Sequence, residues 1–319
     1  MSEQPLVAGG DVLCVTLNAA LDVTYETATV VPGDVNRVEH THTHAGGKGV
    51  NVARLLQAWG REVRVLAFAG GRSGEEIAAS LDAGTVAHDL VPCKGESRRT
   101  VTVVSTADGV ATGFYESGPT ISTSEWGTFR AAFEESLPSF RLVVLAGSLP
   151  PGVPDDAYRQ LASVARERGL PVIVDAHGKP LLHALDGHPS VVTPNETELA
   201  EAVGLTSPVP IEIATDAARR LVTGGAQRAV VTLGARGLIG VLGERAWHAA
   251  TPSVHGNPVG AGDAVVAVIA DAELRQEPWT ETLRSAAATA AAAVRAPIAG
   301  AVDPQHVAEM LAHVEVREL

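Results

Sequence analysis

Several short runs of this sequence leave no face for water. Val12–Leu17, Leu142–Ala146 and Val172–Asp175 are branched or apolar almost throughout, and Glu62–Ala69 and Arg228–Leu233 are nearly so. Strands of this kind need cover on both sides, which a parallel sheet between layers of helices provides. From Glu125 onward the pattern alternates as such a sheet requires. Helix 125–136 precedes strand 142–146, and helix 155–168 precedes strand 172–175. A short strand at 190–193, helix 196–203, helix 212–223 and strand 228–233 follow, and a turn at 234–237 leads to strand 238–242. An alanine-rich helix at 280–294 is suited to close packing or to lining a flat pocket, and a last helix spans 304–314. The expected class is α/β with a mostly parallel central sheet.

Two stretches do not fit the alternation. Residues 23–44 read as a β-hairpin around Val31-Pro32-Gly33-Asp34, and residues 85–116 return to strand pattern at 99–105 and 113–116. Together they suit a small separate sheet acting as a lid. Residues 1–10 read as a loose arm before a domain at 11–314. His40, His42 and His44 share one strand face. Strand register alone rarely supplies a full tetrahedral set, so a hydrated face suits them better than a metal site.

Composition narrows the partners. The formal net charge is −13, which argues against nucleic acid or an anionic membrane surface. An anionic ligand must therefore be met by a few local basic groups. Two cysteines, Cys14 and Cys93, imply no disulfide framework, and a reducing cytoplasm fits. The N-terminal residues do not read as a signal peptide, and no apolar run is long enough for a membrane span.

The chemistry concentrates where apolar strands or glycine turns end. Asn257-Pro258-Val259-Gly260-Ala261-Gly262-Asp263 runs straight into a small-residue apolar helix. Amides in a helix's first turn lack intrahelical partners and can hold phosphate oxygens. A carboxylate there, Asp263, is placed to take a proton from an attacking hydroxyl, or simply to cap the helix. Asn18 and Asp22 follow the first strand, and Ser148 follows the strand at 142–146. Gly46-Gly47-Lys48-Gly49-Val50-Asn51 leads into another helix. There the backbone and Asn51 could meet hydroxyls, and Lys48 an anion. Lys94, Arg98 and Arg99 form a basic cluster, either an anion clamp or a solvated turn. Asn195 and Glu198 could hold a Mg²⁺ water shell or form a capping box. Thr232 and the turn Gly234–Gly237 offer a hydroxyl and amides to a nucleotide phosphate.

In order and spacing these pieces resemble the PfkB, or ribokinase-like, family of sugar kinases. The early Gly46–Arg54 motif, Thr193–Glu198 as Asn-x-x-Glu, Thr232–Gly237 and Asn257–Asp263 carry the likeness. It runs from about residue 11 to 313. Thr16-Leu17-Asn18-Ala19-Ala20-Leu21-Asp22, Lys94–Arg98 and Gly147–Gly152 resemble the branch containing 1-phosphofructokinase and tagatose-6-phosphate kinase. The departures are Ala19 for a proline, Pro258 for a threonine, and Arg99-Thr100-Val101-Thr102 where the branch reads Ile-Asn-Val-Lys.

The resemblance implies a three-layer ribokinase-like fold with a β lid. It implies a phosphotransferase using ATP and Mg²⁺. Asp263 would be the base, and the 260–263 amides would stabilise the transferring group. Asn18, Asp22, Gly47, Asn51 and Ser148 would hold the sugar, and Lys48 and Arg98 its phosphate. Asn195, Thr232, Gly234 and Gly237 would serve the nucleotide, and Asn195 with Glu198 the metal. The implied reaction is fructose 1-phosphate to fructose 1,6-bisphosphate. Tagatose 6-phosphate and fructose 6-phosphate are the alternatives, with a non-catalytic sugar-phosphate sensor behind them. A homodimer through the lid is expected.

Overall fold

The computed structural model describes residues 10–296 and 298–319, so the N-terminal arm lies almost wholly outside the described residues. The strands are β1 (Val12–Thr16), β2 (Ala20–Thr27), β3 (His40–Gly46), β4 (Val63–Ala69), β5 (Ala87–Pro92), β6 (Arg98–Ser105) and β7 (Ala111–Tyr115). They continue with β8 (Leu142–Ala146), β9 (Val172–Asp175), β10 (Val191–Val192), β11 (Arg228–Thr232), β12 (Leu238–Leu242), β13 (Arg245–Ala250) and β14 (Glu315–Glu318). The helices are α1 (Lys48–Ala58), α2 (Gly71–Ala83), α3 (Thr123–Ser136), α4 (Ala157–Glu167) and α5 (Gly178–Leu185). After them come α6 (Glu196–Val203), α7 (Ile211–Thr223), α8 (Ala261–Arg275), α9 (Trp279–Ala293) and α10 (Pro304–Leu311).

Ten strands form the main sheet in the order β14-β13-β12-β11-β10-β9-β8-β1-β4-β5. From β10 to β5 through β1 the pairs are parallel, and the β11–β14 side is antiparallel. Strand alternation sorts β1 between two cores. Leu13 and Val15 join a core with Phe129, Tyr158 and Leu221 from α3, α4 and α7. Val12 and Cys14 join the other with Leu55, Ile77 and Ile269 from α1, α2 and α8. The result is the expected three-layer arrangement. The chain leaves β1 for β4 on one side and later returns as β8 on the other. That change of direction opens a crevice at the carboxyl ends of the strands.

The second sheet has the order β3-β2-β6-β7. Its β2–β6 pair is parallel and its outer pairs are antiparallel. Residues 87–92, expected in the lid, instead pair in parallel with β4 in the main sheet. They complete a β4–α2–β5 unit. As an edge strand, half wet, β5 shows the alternating exposure that resembles a lid strand. The sequence reading also passes over α5, β13 and β14. The last extends the sheet past residue 314, and α10 stops at Leu311. Among the described residues no helix is long and apolar enough to cross a membrane.

Candidate active site

A cleft of about 990 Å³ lies between the lid and the carboxyl ends of the main strands. Each parallel strand near its centre delivers one polar group there: Asn18 beyond β1, Ser148 beyond β8, Asp175 ending β9, Asn195 beyond β10 and Thr232 ending β11. Helices α1 and α8 pack against each other and point their N-termini into the same space.

Asp263 sits in the first turn of α8 and is buried. Asn51, in the first turn of α1, donates from Nδ2 to Asp263 Oδ2 at 2.8 Å. Burial pushes the Asp263 carboxyl up to about 7, reinforced by Asp175 and Asp22 and opposed by Lys48 and the Asn51 bond. A carboxyl so placed can exchange a proton near neutral pH. The capping role weighed for Asp263 is not used, since α8 has no side-chain cap. Its N-cap is Gly260 at φ +87°, where a Cβ would also lie 2.8 Å from Ala299 Cβ. The helix ladder begins with Ala264 N–H donating to Gly260 O at 3.0 Å, and the Ala261 amide already donates to Pro258 O at 3.2 Å. The Gly262 and Asp263 amides precede that first rung. A Cβ on Gly262 would meet open space, so the cradle has room for a phosphate.

Lys48 lies apart from the basic lid group. Its Nζ is 3.1 Å from Asp175 Oδ1 and 3.4 Å from Glu198 Oε1. Burial alone would lower its pKa, but Asp175, Glu198 and Asp263 together outweigh that and hold the ammonium charged. Asp175 is itself pushed up, first by burial and then by Glu198, with Lys48 pulling the other way. The sequence reading did not single out Asp175. Its signal was an apolar strand closing on a carboxylate, the same signal that marks Asn18 and Ser148.

Asn195 and Glu198 form a complete capping box on α6: Asn195 Oδ1 accepts from Glu198 N–H at 2.9 Å, and Glu198 Oε2 accepts from Asn195 N–H at 2.8 Å. Glu198 Oε1 is left for Lys48 and the cleft. Among the described residues no group of three or more His, Cys, Asp or Glu could cage a metal, the His40 face included. His42 lies 3.7 Å from Glu26, and His44 turns toward Asp22. The donor set suits Mg²⁺, which usually takes only one or two carboxylates and completes its shell with substrate phosphates and water.

Farther from the lid, the turn Gly234–Arg236 lines the cleft with Thr232 and Gly237. Arg236 braces it through Glu196 at 2.6 Å and the Val209 carbonyl at 2.9 Å. Ala287, Ala290, Ala291 and Val294 supply a flat apolar wall, as expected of the alanine-rich helix and the residues after it.

At the lid end the basic cluster divides. Arg98 faces the cleft, its Nε donating to Asn18 O at 3.0 Å. Arg99, one residue on, reaches Ser73 Oγ at 3.2 Å instead, and Lys94 stays exposed. Asn18 Nδ2 donates to Ser148 Oγ at 3.0 Å. Asp22 accepts a hydrogen bond from Thr100. A Cβ on Gly46 would fall 1.9 Å from Asp22 Oδ2, so only glycine fits there. Gly47, at φ +105°, also borders the cleft. Three buried acceptors here, Thr16 Oγ1, Asn18 Oδ1 and Asn51 Oδ1, have no hydrogen-bond partner among the described residues. Buried acceptors without donors are costly, and a polyhydroxy ligand would satisfy them.

The model of the pfkB family of carbohydrate kinases matches residues 12–305. Phosphofructokinase-2 from Escherichia coli, solved with potassium, is 29% identical, with 95% of this chain and 98% of that one covered at a TM-score of 0.87. The same protein has been solved with fructose-6-phosphate and in a tetrameric inhibited form. A possible 1-phosphofructokinase from Thermotoga maritima is 24% identical over 97% and 99% of the two chains, at a TM-score of 0.86. Ribokinase from Arabidopsis thaliana, complexed with ribose and ATP, is 24% identical over 96% and 99%, at 0.72.

Proposed function

The chain belongs to the pfkB family of carbohydrate kinases and is a sugar kinase, a phosphotransferase with an alcohol acceptor; from that premise we propose that its acceptor is a ketohexose phosphate, with fructose 1-phosphate the leading candidate and fructose 1,6-bisphosphate its product. The observation that carries a phosphorylated acceptor is Arg98, a guanidinium facing the cleft beside the unpartnered sugar-type acceptors of Asn18 and Asn51. In a chain of net charge −13, such a cation at the sugar end suits an anionic substrate.

In this reading the sugar lies under the lid, held by Asn18, Asp22, Gly47, Asn51 and Ser148, with its phosphate on Arg98. The nucleotide runs past Asn195 and Thr232 to the Gly234–Gly237 turn. Asp263 takes the proton of the attacking hydroxyl, and Asn51 fixes its carboxylate. The Gly262 and Asp263 amides hold the transferring oxygens, a preorganised contribution worth roughly 3 kcal/mol per donor in other enzymes. Mg²⁺ arriving with ATP would be held by Glu198 and Asn195 largely through water, and it supplies neutralisation of phosphate charge. Lys48 balances Asp175 and Glu198 rather than the sugar phosphate, which revises the role expected of it.

The E. coli relative was solved with fructose-6-phosphate, which favours a second reading, a 6-phosphate acceptor. ADP release with Mg-ATP separates the two across fructose 1-phosphate, fructose 6-phosphate, tagatose 6-phosphate, fructose and ribose. The highest kcat/KM on fructose 1-phosphate supports the first reading. Preference for a 6-phosphate replaces it, and preference for a free sugar removes Arg98 from its role. Val31, Val35, Val38 and Phe114 are exposed on the lid, and a homodimer through that sheet would cover them. A monomer by light scattering at working concentration would refute this.

A further inference from the structure

One polar rung crosses all four strands of the lid. His44 on β3 pairs with Asp22 on β2, Asp22 with Thr100 on β6, and Thr100 with Tyr115 on β7. Residues directly opposite one another in a sheet project from the same face. Asp22, Thr100 and Tyr115 accordingly all border the cleft. The Asp22 carboxylate is mostly enclosed and surrounded by charge. Arg98 lies on β6, Arg54 comes from α1, His44 flanks it on β3, and Asp263 on α8 is a like charge across the cleft. These charges act at a distance and impose little direction on a carboxylate that can rotate about its last bond. Directional constraint comes from two contacts. The Gly46 backbone closes the β3 side, leaving no room for a Cβ. On the β6 side the Thr100 hydroxyl donates to Oδ1.

We propose that Thr100 is a positioning residue, its hydroxyl fixing the Asp22 carboxylate in the orientation that receives a hydroxyl of the sugar. This rests on the sugar-kinase reading of the lid end of the cleft. It also accounts for a departure in the sequence: the related branch carries asparagine where this chain has Thr100. The shorter side chain reaches its cross-strand neighbour and engages Oδ1 of Asp22. The hydrogen bond favours the charged form of Asp22, countering the burial that pushes its carboxyl up.

The test compares T100V, which keeps the shape and removes the donor, with T100S, which keeps the donor. Both are made in the full chain, with folding checked by thermal melting. With the best sugar of the panel, T100V is expected to raise the sugar KM about tenfold, the effect of one lost hydrogen bond. The ATP KM should stay within twofold, and T100S within threefold of the parent on both. A T100V sugar KM within twofold of the parent overturns the proposal. So does T100S matching T100V, because the donor would then be irrelevant. A second readout needs no turnover: the ¹³C titration of the Asp22 carboxyl in the ligand-free protein, assigned with D22N. Its pKa should rise in T100V and return in T100S, and no change in T100V refutes the positioning role. If the parent phosphorylates no sugar at all, the sugar-kinase reading of this cleft fails while the titration still decides what Thr100 does to Asp22.

Discussion

Replacing Asp263 with asparagine tests the catalytic assignment and the electrostatics of the site in one protein. The asparagine Oδ1 can still accept from Asn51 Nδ2, so the hydrogen bond across α1 and α8 survives and only the charge is lost. The parent carboxyl lies at about 7 against an ordinary 3.8, raised first by burial. The folded chain therefore holds a proton that the unfolded chain releases over that interval. The stability linked to this proton is complete below about pH 4, is lost progressively as pH rises, and is gone above about pH 7. A difference of about three pH units, at about 1.4 kcal/mol each, corresponds to roughly 4 kcal/mol. Lys48 loses a partner charge in the variant, so this figure is an upper bound. With an unfolding entropy of about 2 cal/mol/K per residue, it becomes a rise in Tm of up to about 6 °C at pH 8, shrinking toward zero at pH 4. Calorimetry of the ligand-free proteins at both pH values measures it. Turnover should fall by about 10³-fold or more while ATP binding persists. A variant no more stable than the parent at pH 8, or equally shifted at both pH values, refutes the charge argument. Surviving turnover refutes the mechanism.

Two further substitutions probe the ends of the cleft. Arg98→Met should raise the KM for the phosphorylated sugar about 30-fold, roughly 2 kcal/mol for a charge-assisted contact, and leave the ATP KM within twofold in steady-state assays. Lys48→Met leaves Asp175 and Glu198 without their cation. It should lower stability by roughly 2 kcal/mol at pH 8, less than a fully buried pair because the cleft is open to water. The loss should diminish toward pH 5 as the Asp175 carboxyl, pushed up by burial, takes up a proton. Chemical denaturation at the two pH values checks the sign, and a larger loss at pH 5 contradicts it.

What could be read along the chain depended on how local the signal was. The apolar strands β1, β8 and β9 and the glycine turn before Asp263 declare themselves within a few residues, because burial on both faces and a helix N-terminus each impose a local pattern. The Lys48–Asp175 pair spans 127 residues, and nothing beside either one names the other. The edge strand β5 carries a half-exposed alternation that fits either sheet, and only its pairing with β4 decides. The basic cluster at 94–99 stayed open for the opposite reason: it is contiguous in sequence, but successive residues of β6 face opposite ways, so Arg98 and Arg99 separate. Asn195 and Glu198 form the capping box, one of their two readings, in a geometry that leaves room for the other. The cap engages Asn195 Oδ1 and Glu198 Oε2, and the remaining carboxylate oxygen faces the cleft.

For the proposed substrates, the same geometry answers how an acidic chain would take two anions into one cleft. Lys48 is paired with Asp175 and Glu198, so it adds little net positive charge there. The attraction comes instead from dipoles. Helices α1 and α8 converge with their N-termini at the point where Asn51 meets Asp263. Each contributes a partial positive charge of about half a unit that needs no counterion. Fixed amides also spare the site the flexible cation that would compete for Asp263. A lysine placed directly on the carboxylate would hold its pKa low and leave it a poor base. Lys48, drawn aside by Asp175 and Glu198, lets burial keep Asp263 near 7, where a carboxylate is both substantially ionised and still avid for a proton. In the proposed reaction the carboxylates around Lys48 would serve Asp263 by holding a cation at a distance, and Arg98 is left facing the lid end, where the sugar's own charge would lie.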